Sequence, residues 1–428
     1  MSKNITMYQS QMNIEHLNTY KLIGYVLVFM LLPSFVGLPW IIYSALKDTK
    51  HSKTSYYVFI CCIIAFLASI NATKFVDGDQ VRYWFAYNNV PIKGYWYALM
   101  NIYGDPEAWQ EVNTHISGEF MNGIYNYIGY YLSFGYYPLF EFMLTFLSYF
   151  LLLTGLYKFC KTLPSPHLPI IYGTLIMSFF YLYFQFTLQI QKQFLAQSFM
   201  MYVIGNYAYN GYLRKKDWVM MICSIFTHQS MLFFVPFIVL KRYRKKLSKV
   251  TIFMTFFVLA FLIYYGPKFL SSTDLGQGDA LTYGVRRFAS SESNVDGLGL
   301  KTSIVLAVGG PMFLICLRRL LSFRKNFNAS QSFLVILTSL IIVATAAMTR
   351  QPTTQYRFFM MLMPFMPFIY PLAFDKLKNR NMFLCVLAYF MIVWFIFQFE
   401  HILWIYAPEL HVFIKSPLML IFTNYQGY

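Results

Sequence analysis

The chain has 428 residues, of which 58% are hydrophobic and 21% aromatic, while only 12% are charged. Soluble domains carry roughly twice that share of charge, so composition excludes a soluble enzyme; apolar runs without two-residue alternation exclude a β-barrel and leave an all-α, polytopic integral membrane protein. The formal net charge of +17 does not read as a nucleic-acid surface, because Lys and Arg gather in short loops between apolar runs, as the positive-inside rule expects.

The first apolar run, 21–45, is long enough for a permanent span and does not read as a cleavable signal. A second span is predicted over 55–72, followed by a polar extracytoplasmic loop, 73–121. The tyrosine-rich stretch NGIYNYIGYYLSFGY, 122–136, reads as an interfacial helix leading into the next span. Further spans are expected at 137–157, 166–185, 188–211, 218–240 and 250–267. After a second extracytoplasmic loop, 268–301, come 302–317, 331–348, 357–374 and 381–399. A weaker stretch, 403–424, is broken by Pro408 and Pro417. Together these make a single membrane domain over 1–428 with about 11–12 transmembrane or re-entrant helices.

Basic loops orient the chain. KDTKHSK at 47–53, KFCK at 158–161, RKK at 214–216, KRYRKK at 241–246, RRLLSFRK at 318–325 and DKLKNR at 375–380 belong in the cytoplasm. Segment 218–240 breaks the parity, because basic loops flank it on both sides. Two full crossings need ~40 residues. Either the segment is a re-entrant pair of half-helices turning near Thr227, His228, Gln229 and Ser230, or it is a plain span with one basic cluster on the unexpected side. The six cysteines show no metal spacing and read as small packing residues without a disulfide framework.

Ionisable groups at the spans are few, and each is a candidate for function. In NATKFVDGDQVRYWFAY, 71–87, Asp77, Asp79, Arg82 and Tyr83 suit a sugar, whose hydroxyls carboxylates bind and whose apolar face aromatic rings cover. The same residues also fit a solvated loop with an aromatic belt. Glu119 stands just before the interfacial helix, where a carboxylate also complements the helix dipole. In FQFTLQIQKQFLAQSF, 184–199, Gln185, Gln189, Lys192 with Gln193, and Gln197 recur at helical spacing and are expected to share one face. Interhelical amide bonds would explain that face, but Lys192 requires an anion or an aqueous path. His228 is either a site residue or a neutral histidine bonded to a neighbouring helix. Arg350 and Arg357, in TRQPTTQYRFF, with Arg286 and Arg287 in the outer loop, place arginines on the side where charge bias disfavours them. They suit a diphosphate ligand or lipid headgroups.

In this order these residues resemble the Wzy-type polysaccharide polymerases, more closely the EpsG-like family. The resemblance rests on Asp79-Gln-Val-Arg-Tyr83, Glu119-Phe120, Lys192-Gln193-Phe194-Leu195-Ala196, His228-Gln229-Ser230 and a late arginine, Arg357. It covers most of the chain with short motifs, and Lys192 departs from the arginine usual there, keeping charge but losing bidentate phosphate binding. The resemblance implies an enzyme of the bacterial cytoplasmic membrane that joins undecaprenyl-diphosphate-linked oligosaccharide repeats on its outer side, for O-antigen, capsule or exopolysaccharide. It implies His228, Asp79 or Glu119 as the base. Lys192, Gln193, Arg287, Arg350, Arg357, Arg82, Tyr83 and Gln189 would hold diphosphate or sugar. No metal and no other cofactor is expected. The partners implied are the lipid-linked oligosaccharide, membrane lipids, a chain-length regulator and a flippase; nucleic acid is not among them. The competing readings are an O-antigen ligase or other lipid-linked-sugar glycosyltransferase, and a flippase or transporter of the same glycolipid. No internal repeat of the transporter kind is visible.

Overall fold

The computed structural model describes residues 17–76, 79–100, 120–239, 253–261, 265, 298–321, 329–348, 352–401 and 411–423. Every regular element among them is helical. In chain order they include α1 (Thr19–Leu31), α2 (Ser34–Lys47), α3 (Lys53–Asn71), α4 (Asp79–Asn88), α5 (Val90–Met100), α6 (Met121–Leu132) and α7 (Tyr137–Cys160). Then follow α8 (His167–Ser178), α9 (Tyr181–Gln189), α10 (Gln191–Asn210), α11 (Lys215–Thr227), a 3-10 turn (Gln229–Phe234) and α12 (Val235–Val239). After these come α13 (Leu298–Leu321), α14 (Ala329–Ala347), α15 (Pro352–Leu362), the short α16 (Met366–Ile369) and α17 (Leu377–His401).

Among the described residues, α3, α7, α14 and α17 are each long and apolar enough to cross a membrane, and the bent pair α8–α9 makes up to five. Other expected spans are broken for local reasons. The run 21–45 splits into α1 and α2 at Pro33, which has no backbone N–H to continue the helix. The run 357–374 becomes α15, 3-10 turns and α16, because Pro364, Pro367 and Pro371 recur through it. The run 250–267 and the stretch 403–424 lie partly outside the described residues, as do 77–78 and 101–119 of the loop 73–121; 268–297, nearly all of the second loop, lies outside them too. Segment 218–240 is interrupted where its polar residues stand: α11 ends at Thr227, and His228 takes extended backbone (φ −154°, ψ 119°) before the 3-10 turn.

α3 is the hub. Of its apolar window 89% is buried inside the protein, against 28% for α17, so α3 is wrapped by other helices and α17 faces outward. Ser52 begins α3 by accepting from Ser55 N at 3.0 Å. α10 ends at Gly211, whose φ of 84° is the left-handed conformation that glycine adopts at no steric cost. α7 and α10 touch backbone to backbone at one point. A Cβ on Gly205 would lie 2.1 Å from the Gly155 carbonyl oxygen, and one on Gly155 would lie 2.4 Å from that of Met201. Small residues permit this approach, as membrane helix packing favours.

Two of the basic segments, at 318–321 and 375–380, meet at one end of the bundle. Arg319 pairs with Asp375 at 2.5 Å, Arg318 with the same carboxylate at 3.4 Å, and Arg380 donates to the Ser165 carbonyl at 3.1 Å.

Candidate functional site

At the opposite end of the helices, the chain breaks twice in succession. α8 and α9 meet at an angle of 57°, and α9 and α10 are separated at Ile190 (φ −121°, ψ 50°). This corrects the expectation of one glutamine-bearing face. Gln185 and Gln189 lie half-buried on the short α9, whereas Gln191, Lys192, Gln193 and Gln197 are buried on α10. A helix interruption resets the angular register, so the residues surround a break instead of lining a stripe.

Two ionisable residues that sequence reasoning passed over stand at this break. Lys74, in the segment that follows α3, is 0% exposed and donates to the Gln185 carbonyl near the end of α9. Glu141, in the second turn of α7, is 1% exposed and is electrostatically coupled to Lys74. Burial pulls the Lys74 ammonium down to about 7, and Glu141 opposes that pull. The Gly155–Gly205 contact sets the height of both helices. Tyr149 packs on Tyr183, which packs on Phe194, so α7 and α10 run in the same direction. Glu141 precedes Gly155 by as many residues as Gln191 precedes Gly205, which brings Glu141 level with the start of α10 and Lys192. Gln193 Nε2 donates to the Arg357 carbonyl at 3.2 Å, and Phe186 packs on Tyr356 with ring centroids 6.1 Å apart. α15 is thereby drawn to the same break, with Arg357 half-buried.

The motif after α3 divides between two environments. Asp79 and Arg82 are exposed on α4, while Tyr83 is 5% exposed and Gln80 1%. Gln80 Nε2 donates to Glu141 Oε1, which ties the motif to the buried carboxylate. Tyr87, one turn beyond Tyr83, bonds Ser133 and packs between Tyr130, Tyr137 and Phe140.

His228 terminates α11. Its Nδ1 accepts from Ser230 N at 3.2 Å and lies 2.7 Å from Ser230 Oγ. A neutral ring bonded this way carries its proton on Nε2, the tautomer being assigned from the hydrogen-bond pattern. Ser224, one turn earlier, donates to the Ala196 carbonyl at 2.7 Å, so the end of α11 abuts α10 just past Lys192 and Gln193. Thr227 meets Tyr125 of α6, Oγ1 to hydroxyl, at 3.3 Å.

The structure therefore gathers Lys192, Gln193 and Arg357 at the α9–α10 break and places the His228 turn beside α10. It ties the Tyr83 motif in through Gln80 and adds Lys74 and Glu141. Asp79 and Arg82 stand on the exposed side of α4, and Gln189 ends α9. Glu119, Arg287 and Arg350 lie outside the described residues. The signal for Lys74 and Glu141 was present in the sequence: an ionisable side chain inside or bordering an apolar run. Among the described residues no three His, Cys, Asp or Glu side chains are grouped as a metal site requires. An open groove of about 570 Å³ lined by Leu314, Leu317, Arg318 and Leu321 is at the arginine-rich end and contains none of these residues.

Two lysines, one carboxylate and several amides near a helix start, with the Arg357 backbone drawn to the same break, can hold an anion and orient hydroxyl groups. The helices together define an all-α polytopic membrane protein. The model of the EpsG family matches residues 57–408, most of the chain, and the chain belongs to that family. The family is one of Wzy-type polymerases, which gives a polysaccharide-polymerase role at the family level. Searches of curated proteins and of solved structures give no match.

Proposed function

We propose that this protein joins undecaprenyl-diphosphate-linked oligosaccharide repeats at the outer side of the bacterial cytoplasmic membrane. The observation that carries the reading is that Lys74, Lys192 and the backbone of Arg357 stand at one helix break beside Glu141. In the reaction, an acceptor hydroxyl oxygen forms a bond to the anomeric carbon of the growing chain. The bond from that carbon to the lipid diphosphate breaks, and the diphosphate leaves with the electron pair. Lys192 and Arg357, with Lys74 behind them, stabilise the charge that develops on it. Arg287 and Arg350 are proposed to add to this cationic set. The acceptor proton passes to a carboxylate, Asp79 or Glu119. His228 serves better as a donor than as that base, because its Nδ1 lone pair is already engaged by Ser230 and Nε2 carries the proton. Gln193, Gln189, Arg82 and Tyr83 are assigned to the sugar or diphosphate.

The test pairs a cell assay with a purified one. Arg357→Ala, Lys192→Ala and His228→Ala are expected to abolish long-chain surface polysaccharide in a deletion strain while the protein still inserts. Purified wild type is expected to elongate lipid-linked repeats in detergent. Normal ladders from all three variants, or transfer to a lipid core in place of a repeat, would sink the proposal.

A further inference from the structure

α10 begins at the helix break, and at its other end four lysines meet four tyrosines. Lys53, the first residue of α3, stands over the Tyr57 ring with Nζ 6.0 Å from the centroid. Lys158 and Lys161, at the end of α7, stand over Tyr209 at 5.2 Å and Tyr157 at 4.7 Å. Lys216, in the first turn of α11, stands over Tyr202 at 6.0 Å. The rings are themselves joined across helices. Tyr57 meets Tyr157 edge-on with centroids 5.4 Å apart. The Tyr202 Cα comes within 3.0 Å of where a Cβ on Gly155 would lie, two residues before Tyr157. Lys158 is at the centre of this group: Lys161, Lys53, Arg214 and Lys216 all act on it electrostatically. A carboxylate at this end, Asp217, is already engaged, for it is buried, caps α11 and pairs with Arg214 at 3.2 Å.

Like charges repel, and the positive-inside rule asks only for a count of basic residues in loops, which could spread into water. Here each ammonium is drawn onto a ring by cation–π attraction and held at the depth where tyrosine sits in a bilayer interface. Cations brought together in this way from α3, α7 and α11 concentrate a positive field at one place, and such a field attracts an anion. The adjoining surface selects the anion. Lys215 is exposed, and Trp218, Val219 and Ile222 follow it, also exposed, along the same side of α11. A soluble anion gains nothing from that apolar strip, whereas a lipid brings phosphate and hydrocarbon together.

We propose that the tyrosine-held lysines at the ends of α3, α7 and α11 bind the headgroup phosphate of an anionic phospholipid in the leaflet on the side of the basic loops, with its chains along the exposed strip of α11. The site stands at the far end of α10 from the helix break and does not depend on the proposed reaction.

The experiment uses the full chain purified in detergent, with phosphatidylglycerol or phosphatidylcholine added. Bound lipid is counted by native mass spectrometry, and the thermal midpoint is read with and without lipid. Lys158→Gln with Lys161→Gln is compared with Lys376→Gln with Lys378→Gln, an exposed pair outside the cluster whose loss removes the same charge. Wild type is expected to bind phosphatidylglycerol in preference to phosphatidylcholine and to gain thermal midpoint from it. The cluster pair should weaken phosphatidylglycerol about fivefold per lysine, the equivalent of ~1 kcal/mol each, while the control pair and Lys158→Arg keep it. Should the cluster pair lower the lipid-free midpoint, Lys216→Gln, on the exposed start of α11, gives the same comparison. Equal loss in the control pair overturns the site, since it marks general surface attraction, and so does wild type that does not distinguish the two lipids. Displacement of the lipid by millimolar inorganic phosphate, or binding of a polyglutamate peptide in place of phosphatidylglycerol, also overturns it, by assigning the cluster to a free anion or to an acidic protein.

Discussion

Lys74 and Glu141 offer the sharpest separation of structure from function. Both are buried almost completely, at 0% and 1% exposure. Removing one member of such a buried pair strands the other and costs about 3–5 kcal/mol, whereas replacing both by apolar residues of similar size is often close to neutral. Glu141→Leu falls at the lower end, because the remaining lysine is already drawn down to about 7 and can shed its proton. Lys74→Met falls at the upper end, since it leaves a carboxylate held by Gln80. The double variant Lys74→Met, Glu141→Leu is expected to recover much of the loss, giving a coupling energy of about 2–3 kcal/mol in a double-mutant cycle. Thermal unfolding of the purified protein measures the stability arm, and elongation of lipid-linked repeats measures the activity arm. Stability should return in the double variant while elongation does not, because the anion site has lost a cation. Additive single losses refute the pairing. A double variant that elongates at the wild-type rate refutes the role of Lys74 at the site.

Three further predictions use the same preparations. Lys74 stays protonated in the unfolded chain up to about 10.4 but in the folded protein only up to about 7; the unfolded state therefore binds more protons between these values, and the thermal midpoint should rise with pH across that window and be flat below it. Lys74→Met should abolish the rise, and persistence of the rise in that variant would place its origin elsewhere. Gly205→Ala forces a Cβ to 2.1 Å from the Gly155 carbonyl and should lower the thermal midpoint by the worth of about 1–3 kcal/mol or more, while Gly310→Ala, with open space around it, should not. At the end of α11, His228→Asn keeps an acceptor at the start of the 3-10 turn and should retain the thermal midpoint that His228→Ala loses. If the imidazole acts in the reaction, His228→Asn nevertheless fails to elongate, and full activity in this variant would make His228 structural.

The sequence alone determined the solvent and the broad architecture. Hydropathy is a local property summed over about 20 residues, so α3, α7, α14 and α17 could be read directly from their apolar runs. The interruption at His228 was legible too, because polar residues inside an apolar run mark a place where helix and lipid disagree. The order of the Asp79, Lys192, His228 and Arg357 motifs likewise indicated the family that the match over residues 57–408 shows. Only the tertiary structure decided that the glutamine-rich segment breaks at Ile190, since no proline or glycine marks that position. It alone brought Lys74 to the Gln185 carbonyl and Glu141 to Gln80, contacts between residues distant in the chain. The physical reason is that helix-forming tendency acts over a few residues, whereas the meeting of buried charges depends on where helices touch. Here that place is set by two glycines, Gly155 and Gly205, whose missing side chains let α7 and α10 close on each other.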